Sequence, residues 1–380
     1  MKRVLFDSEI FALQKFGGAS KYFSEVIREF IDNRQLGIEP RLTFKRSNNY
    51  YLRSINSLLQ SQLGDARPVY VTPTSPWKTL LTLGPVRQAS LNLSCGVNFS
   101  KRSDSIFHAT YYRPTSMERI GSKSMAITIH DFIPEHLGWS NVRNPHIGKK
   151  RLLAHADLIF CVSQSTAEDL ANFYDISDNR VRVVHHGVRN LASLEEKKGT
   201  QKSNVSPKLL YVGHRSGYKN FEVFAKAISV LSERAVDFSL VTVGPEFSAE
   251  EIASYGLNLH LGRWTHTSEA DDEQLIRLYR EATVFVMTSK MEGFGMPILE
   301  ALSQGTKVVA SEIPVFREIG ENLVSYFVPE SEESLVEVLT KLMYERDSEM
   351  QIHDRINFAR EKSWSRTARI MADAYKGLES

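Results

Sequence analysis

Glu292-Gly-Phe-Gly-Met-Pro-Ile-Leu-Glu300 places two carboxylates eight residues apart around a turn built of two glycines and a proline. The apolar, β-branched run before it, Ala282-Thr-Val-Phe-Val-Met-Thr-Ser289, reads as a buried strand. The run after it, Ile298-Leu-Glu-Ala-Leu-Ser-Gln304, reads as a helix ended by Gly305. The glycines therefore fall at a strand-to-helix turn. The first backbone N–H groups of such a helix lack partners inside it and sit at the positive end of its dipole, so the turn suits an anion without needing a metal. Gly295 also lets a ligand approach the backbone closely. Taken alone, Gly-Phe-Gly fits equally an ordinary βα loop with two surface glutamates.

Outward from this segment, strand-like runs alternate with helical ones along the chain, the pattern of βαβ units and parallel sheets covered on both faces. In the first half, strands are predicted at 3–6, 69–72, 105–109, 126–130, 158–162 and 181–184, with helices at 19–33 and 164–174. Residues 47–98 show no clear period and read as irregular helices or a mobile acceptor region. The polar stretch Leu191 to Pro207 contains Gly and Pro and reads as an interdomain linker. A second series follows, with strands at 208–212, 239–243, 257–261, 283–287, 307–310 and 325–328. The expected organisation is an α/β chain of two Rossmann-like domains, 1–190 and 208–362, facing each other across a cleft at the C-terminal strand ends. A last helix, within 363–380, follows Trp364.

Three further motifs fall at strand ends. Tyr211-Val-Gly-His-Arg-Ser-Gly-Tyr-Lys-Asn220 brings Arg215 and Lys219 to one loop, and a guanidinium fork beside an ammonium is the pair expected on a diphosphate. The competing reading is a solvated basic loop. Gln14-Lys-Phe-Gly-Gly-Ala-Ser-Lys-Tyr-Phe23 follows the first strand with Gly17 and Gly18, yet lacks the third glycine and the acidic residue of a dinucleotide-binding turn. Thr128-Ile-His-Asp-Phe-Ile-Pro-Glu-His136 ends a strand with His130 and Asp131. Its alternatives are a capping His-Asp pair, or a metal site of His130, Asp131 and His136, against which stands the absence of any familiar zinc spacing. No Asp-x-Asp triplet occurs for a magnesium diphosphate. No resident metal or cofactor is therefore expected. Ser163 or Ser165 reads as a helix N-cap.

These motifs, in this order, resemble the retaining glycosyltransferases of family 4, which have the GT-B fold. The resemblance implies that Glu292 lies by the donor sugar, that the backbone of Phe294, Gly295, Met296 and Pro297 holds sugar hydroxyls and phosphate, and that Glu300 binds ribose hydroxyls. It implies that Arg215 and Lys219 neutralise the leaving diphosphate and that Gly17 and Gly18 face it. It places His130 by the donor sugar, sets Arg263 or Trp264 against the nucleobase, makes 1–190 the acceptor side and 208–362 the nucleotide-sugar-binding domain, and makes the terminal helix cross back to the first domain. Two positions depart from the family pattern: Lys21 stands where arginine is common, and His186 where asparagine is. The opening Phe11-Ala-Leu-Gln-Lys-Phe-Gly-Gly18 is most similar to bacterial mannosyltransferases of surface polysaccharide synthesis. The implied donor is a nucleotide diphospho-sugar, GDP-mannose by preference, and the implied acceptor a glycan or lipid-linked glycan. Two rivals are a nucleotide-sugar 2-epimerase of the same architecture, which would need no acceptor, and a non-catalytic sugar-nucleotide-binding subunit.

At 380 residues the chain is long for one core. Residues 1–190 carry 25 Lys+Arg against 16 Asp+Glu, a net +9, while the remainder carries −7. That asymmetry suggests an anionic partner such as a phospholipid surface or lipid-linked phosphate rather than nucleic acid, or else a solvated surface with chance asymmetry. Cys95 and Cys161 imply no disulfide framework. With no run of about 18 apolar residues and no signal peptide, the expected location is cytoplasmic, at most peripheral on the inner face of the membrane.

Overall fold

The computed structural model describes residues 1–42, 46–52, 55, 70–71, 105–112, 124–139, 145–177, 179–189, 206–215, 217–257 and 262–378. The chain forms two compact units, Met1–Gly187 with Trp364–Ser380, and Val188–Ser363. The expected linker at 191–207 lies, but for its last two residues, outside the described residues. Cys95 and most of the aperiodic stretch at 47–98 do so too.

The first unit holds β1 (Lys2–Phe6), β2 (Ile38–Leu42), a short β3 (Arg46–Ser47) paired with β4 (Tyr70–Val71), then β5 (Ser105–Ala109), β6 (Ser124–Ile129), β7 (Leu158–Cys161) and β8 (Val181–Val183). Its main sheet runs β2-β1-β5-β6-β7-β8 and every pairing in it is parallel. The strand expected at 69–72 is thus only β4, outside the main sheet. The sheet edge is instead β2, whose Pro40 pairs with Val4 on the one side that has a neighbour. A proline lacks the N–H a second neighbour would need, so an edge is where it can sit.

The second unit holds β9 (Lys208–Val212), β10 (Ser239–Val243), β11 (Trp264–Thr267), β12 (Val284–Met287), β13 (Lys307–Ser311) and β14 (Ser325–Phe327). Their order, β11-β10-β9-β12-β13-β14, is that of the dinucleotide-binding fold, again wholly parallel. Of the strand expected at 257–261 only Leu257 is described, and the strand beside β10 begins at Trp264.

The inner strands of both sheets are buried on their two faces, which is why they read as apolar runs. The core of the second unit gathers Leu209, Phe224, Leu240, Val286, Val309 and Leu339; that of the first gathers Phe107, Ile127, Ile129, Leu152, Ile159 and Leu170. The last helix, Trp364–Gly377, packs within the first unit. Tyr375 is fully buried against Phe30 and hydrogen bonds His108, Met371 accepts a hydrogen bond from Tyr22 at 3.1 Å, and Thr367 donates to the His185 carbonyl at 2.8 Å. Ser163 is the N-cap of helix Gln164–Tyr174, its hydroxyl accepting from the Thr166 amide at 3.0 Å. Among the described residues, no helix is long and apolar enough to cross a membrane.

Candidate active site

In an open parallel sheet, ligands bind outside the carboxyl ends of the strands where the strand order reverses. In the second unit that point lies between β9 and β12, so the loops after these two strands stand side by side. The turn Gly217–Lys219 is tied to the segment after β12 by backbone and side chains: the Lys290 amide donates to the Tyr218 carbonyl at 2.7 Å and the Thr288 hydroxyl to the Lys219 carbonyl at 2.9 Å. Lys219 Nζ then reaches Glu292 Oε1 at 2.5 Å, and the Ser289 hydroxyl donates to the same oxygen at 2.7 Å. Two residues 73 apart in sequence thereby become one ion pair, mostly buried yet still in contact with solvent. The loop after β10 comes as close: a Cβ on Gly244 would stand 2.2 Å from the Gly213 carbonyl oxygen.

Arg215 takes a different path. Its guanidinium is buried, lies 3.6 Å from the Phe247 ring centroid, and donates to both carboxylate oxygens of Glu251 at 3.2 and 3.1 Å. It also donates to the carbonyls of Pro245 at 2.5 Å and Glu246 at 2.9 Å. Glu251 in turn closes a capping box with Ser248, and the Arg215 bond holds its carboxyl below the usual range. The fork expected on a diphosphate is here the scaffold of the loop 244–251, and Lys219 stands apart from it with Glu292. His214, next to Arg215 in the chain, has its pKa lowered, first by burial and then by Lys219 and Arg215.

The turn after β12 opens the helix Met296–Ser303 with Gly295 in the left-handed region at φ +105° and Pro297 in the first turn. Phe294 is buried and acts as an anchor. Glu300 lies one turn into the helix and accepts a hydrogen bond from the Tyr279 hydroxyl at 3.1 Å. A Cβ on Gly295 would meet Phe316 at 2.9 Å. Gly295→Ala is therefore expected to destabilise the protein by about 1–3 kcal/mol, from left-handed strain and overpacking together, as read by urea denaturation.

In the first unit, His130 follows β6, its amide donating to the Tyr112 hydroxyl at 2.7 Å. Its ring meets the edges of Tyr22 and Phe23 at centroid distances of 5.5 and 5.6 Å and is 7% exposed. Its Nε2 has no hydrogen-bond partner among the described residues. Burial, with His146 and Lys149 nearby, lowers its pKa to about 3, so the imidazole is neutral at physiological pH. A buried ring nitrogen left without a protein partner calls for one from outside the chain, a water or a ligand. The segment that follows is fixed around the fully buried Lys149, which donates to Glu135 and to the Asp131 carbonyl, at 2.7 and 2.8 Å. His146 and Tyr174 also bond Glu135, whose pKa falls to about 2 although burial opposes it. Asp131 accepts from the Ile133 amide and His136 pairs with Asp169, so these two do not gather with His130 around a metal.

Gly18 begins the helix Gly18–Asp32, and the Gln14 carboxamide oxygen accepts from the Ser20 amide at 3.0 Å. The side chain of Gln14 packs so near Gly17 that a Cβ there would fall 2.3 Å from it. Gln14 thus occupies one of the first-turn donors, a contact the Gly-Gly motif does not announce. His186, in the asparagine position, packs on Tyr22 and Trp364.

Arg263 and Trp264 require a correction. They do not end a strand: Trp264 opens β11, paired with Leu240, and its indole donates to Thr242 at 2.9 Å while its ring abuts Phe247. Arg263 precedes the edge strand β11, at its amino end, and faces Asp237 at 3.6 Å. Residues 258–261 lie outside the described residues, and what the structure shows is that Trp264 opens a strand instead of ending one. Glu251, Ser289 and Gln14 join the description. Only the Ser-x-x-Glu capping box of Glu251 carries a sequence signal, and it says nothing of Arg215.

Residues 16–189 match the family described as Glycosyltransferase Family 4, and residues 193–359 match Glycosyl transferases group 1. The O-antigen chain mannosyltransferase RfbU of Salmonella typhimurium is 27% identical over 56% of this chain and 59% of its own length. The serotype-specific mannosyltransferase WbdA of Escherichia coli is 26% identical over 66% of this chain and 33% of its own. The chain therefore spans less than two thirds of either relative. Among solved structures, HepE from Anabaena, determined with UDP and glucose, superposes with a TM-score of 0.69 at 15% identity over all of both chains. Sucrose-phosphate synthase from Thermosynechococcus elongatus gives 0.68 at 15% over 99% and 98%. These likenesses establish the shared GT-B fold.

Proposed function

Since this chain belongs to the glycosyltransferases of group 1 and family 4, we propose that it moves a hexose, mannose from GDP-mannose by preference, onto a glycan or lipid-linked acceptor in bacterial surface polysaccharide synthesis. The observation that carries the site assignment is the Lys219–Glu292 pair at the point where the strand order of the second unit reverses. In the reaction the C1–O bond to the diphosphate breaks and the acceptor oxygen bonds C1 on the same face, with retention. The acceptor proton passes to a diphosphate oxygen. Lys219 stabilises the charge gathering on the leaving diphosphate, with the helix start at Gly295–Pro297 beside it and no metal required. Glu292, oriented by Lys219 and Ser289, takes sugar hydroxyls, Glu300 the ribose, and neutral His130 a hydroxyl of the sugar. Gly17 and Gly18 are assigned to the same donor. The basic first half suits an anionic acceptor at the inner face of the membrane.

The test is a thermal-shift panel of GDP, UDP, ADP and dTDP with their sugars, because a ligand bound only to the folded state stabilises it by about 2.7 kcal/mol at a hundredfold excess over Kd. A rise in Tm with GDP and GDP-mannose alone is expected. A rise only with another nucleotide replaces the donor, and no rise with any overturns the reading.

A further inference from the structure

A lysine enclosed in the first unit stands behind the turn that carries His130. Lys149 opens the helix Lys149–His155 and is 0% exposed. Its ammonium sits 4.0 Å from the Phe132 ring centroid and 4.6 Å from that of Tyr112, and both rings are themselves buried. Its polar contacts are the Asp131 carbonyl at 2.8 Å and Glu135 Oε1 at 2.7 Å. Glu135 is held in turn by His146 Nδ1 and by the Tyr174 hydroxyl, each at 3.2 Å. Taking an ammonium out of water is costly, and replacing such a pair by apolar side chains commonly leaves stability unchanged or higher. Stability by itself therefore gives no reason for this charge. What an apolar side chain could not do is grip the backbone. The ammonium fixes the residue after His130 through the Asp131 carbonyl, and it lies on the ring of Tyr112, whose hydroxyl accepts the His130 amide at 2.7 Å. Phe132 and Glu135 extend the hold over the rest of the turn that follows β6.

We propose that Lys149, paired with Glu135, is a positioning residue for His130: acting through Tyr112 and the Asp131 carbonyl, it holds the backbone after β6 so that the imidazole keeps one orientation toward the donor sugar. A charge bonded to a carbonyl and a carboxylate fixes direction as well as distance, which packing against rings alone does not. The precision matters, because a displacement of about 1 Å at a reacting centre can cost on the order of 10²-fold in rate. The inference rests on the transfer reading above, which sets His130 by the donor sugar, and adds to it the group that aims the ring.

Two variants test it. Lys149→Met with Glu135→Gln removes both charges together, so that neither is left buried alone, and Tyr112→Phe keeps the ring and loses only the hydroxyl that takes the His130 amide. Each is read by steady-state transfer from GDP-mannose to mannotriose, and by the imidazole NMR cross-peaks of 15N-histidine-labelled protein without donor, those of His130 being assigned by their loss in His130→Gln. In the double variant kcat should fall about 10²-fold, with the KM for GDP-mannose within about twofold of native. Its His130 cross-peaks should shift and broaden, while the Tm and the cross-peaks of His108, on the neighbouring strand, stay near native. Tyr112→Phe should move the His130 cross-peaks likewise and lower kcat about tenfold. Native kcat or unmoved His130 cross-peaks in the double variant overturns the proposal, and a shift shared by His108 does the same by marking a general loosening. Should the double variant not fold, Tyr112→Phe decides, unmoved His130 cross-peaks again overturning the proposal. If the native protein turns over no sugar nucleotide, the transfer reading falls and the cross-peaks still decide: a shift confined to His130 keeps Lys149 as the residue that positions it, and no shift removes that role.

Discussion

Lys219→Ala is expected to lower kcat/KM for sugar transfer by about 10²- to 10³-fold, the usual effect of deleting one preorganised charge from a site where transition-state charge develops. The Lys219–Glu292 contact makes the variant informative, because its loss also leaves the Glu292 carboxylate without its cation beside the same anionic donor. The pair is still in contact with solvent, so the fold should lose little, and a Tm within a few degrees of native is expected. Arg215→Ala should behave differently. Its guanidinium is the hub of Glu251, Phe247 and two carbonyls, and removing it strands several buried acceptors, so the Tm should fall together with activity. Steady-state kinetics and thermal melts of the two purified variants decide the matter. Native activity in Lys219→Ala would remove this residue, and with it the proposed site, from the reaction.

The second large effect concerns acid. His108 and His130 have pKa values lowered to about 3, and His186 well below its ordinary value, in each case mainly by burial. All three belong to the first unit. In the unfolded chain they bind protons near pH 6.5, whereas in the folded chain they stay neutral until far lower pH. The unfolded state thus binds more protons as pH falls, and the stability these groups allow is complete above about 6.5 and lost progressively below it. Between pH 7.5 and 5.5 each withdraws on the order of 1 kcal/mol, so the three together withdraw a few kcal/mol. Urea denaturation at the two pH values, followed by the fluorescence of Trp364, which stacks on His186, should show this loss. His186→Asn should remove about a third of it. Equal stability at pH 7.5 and 5.5 would show that these rings are not buried neutral.

Much of the fold was legible because a parallel sheet covered on both faces demands near-continuous apolar strands. Ser105–Ala109, Lys208–Val212 and Ser239–Val243 appear at the bounds read from sequence, as does the helix Gln164–Tyr174. At two of the four edges of the six-stranded sheets the signal fails, although the edge strands Val181–Val183 and Ser325–Phe327 were read. Ile38–Leu42 contains a proline and two charges, and Trp264–Thr267 only one large apolar residue, because neither is enclosed on both sides. The site divides likewise. That Arg215, Lys219 and Glu292 follow strand ends could be read from local pattern, but the partner each takes could not, since the choice depends on which loops the strand order brings together.

The order of apolar runs, the turn residues between them and the residue types after the strands were determined by the sequence alone, because those depend on local propensity and periodicity. The tertiary structure decided which cation meets which carboxylate: Lys219 with Glu292 and Arg215 with Glu251, across 73 and 36 residues. It also decided that three histidines are buried neutral and that Lys149 is enclosed beside Glu135 and the Asp131 carbonyl. Hydrogen bonding, desolvation and ring contact act over a few ångströms in space, and only the folded chain sets those distances.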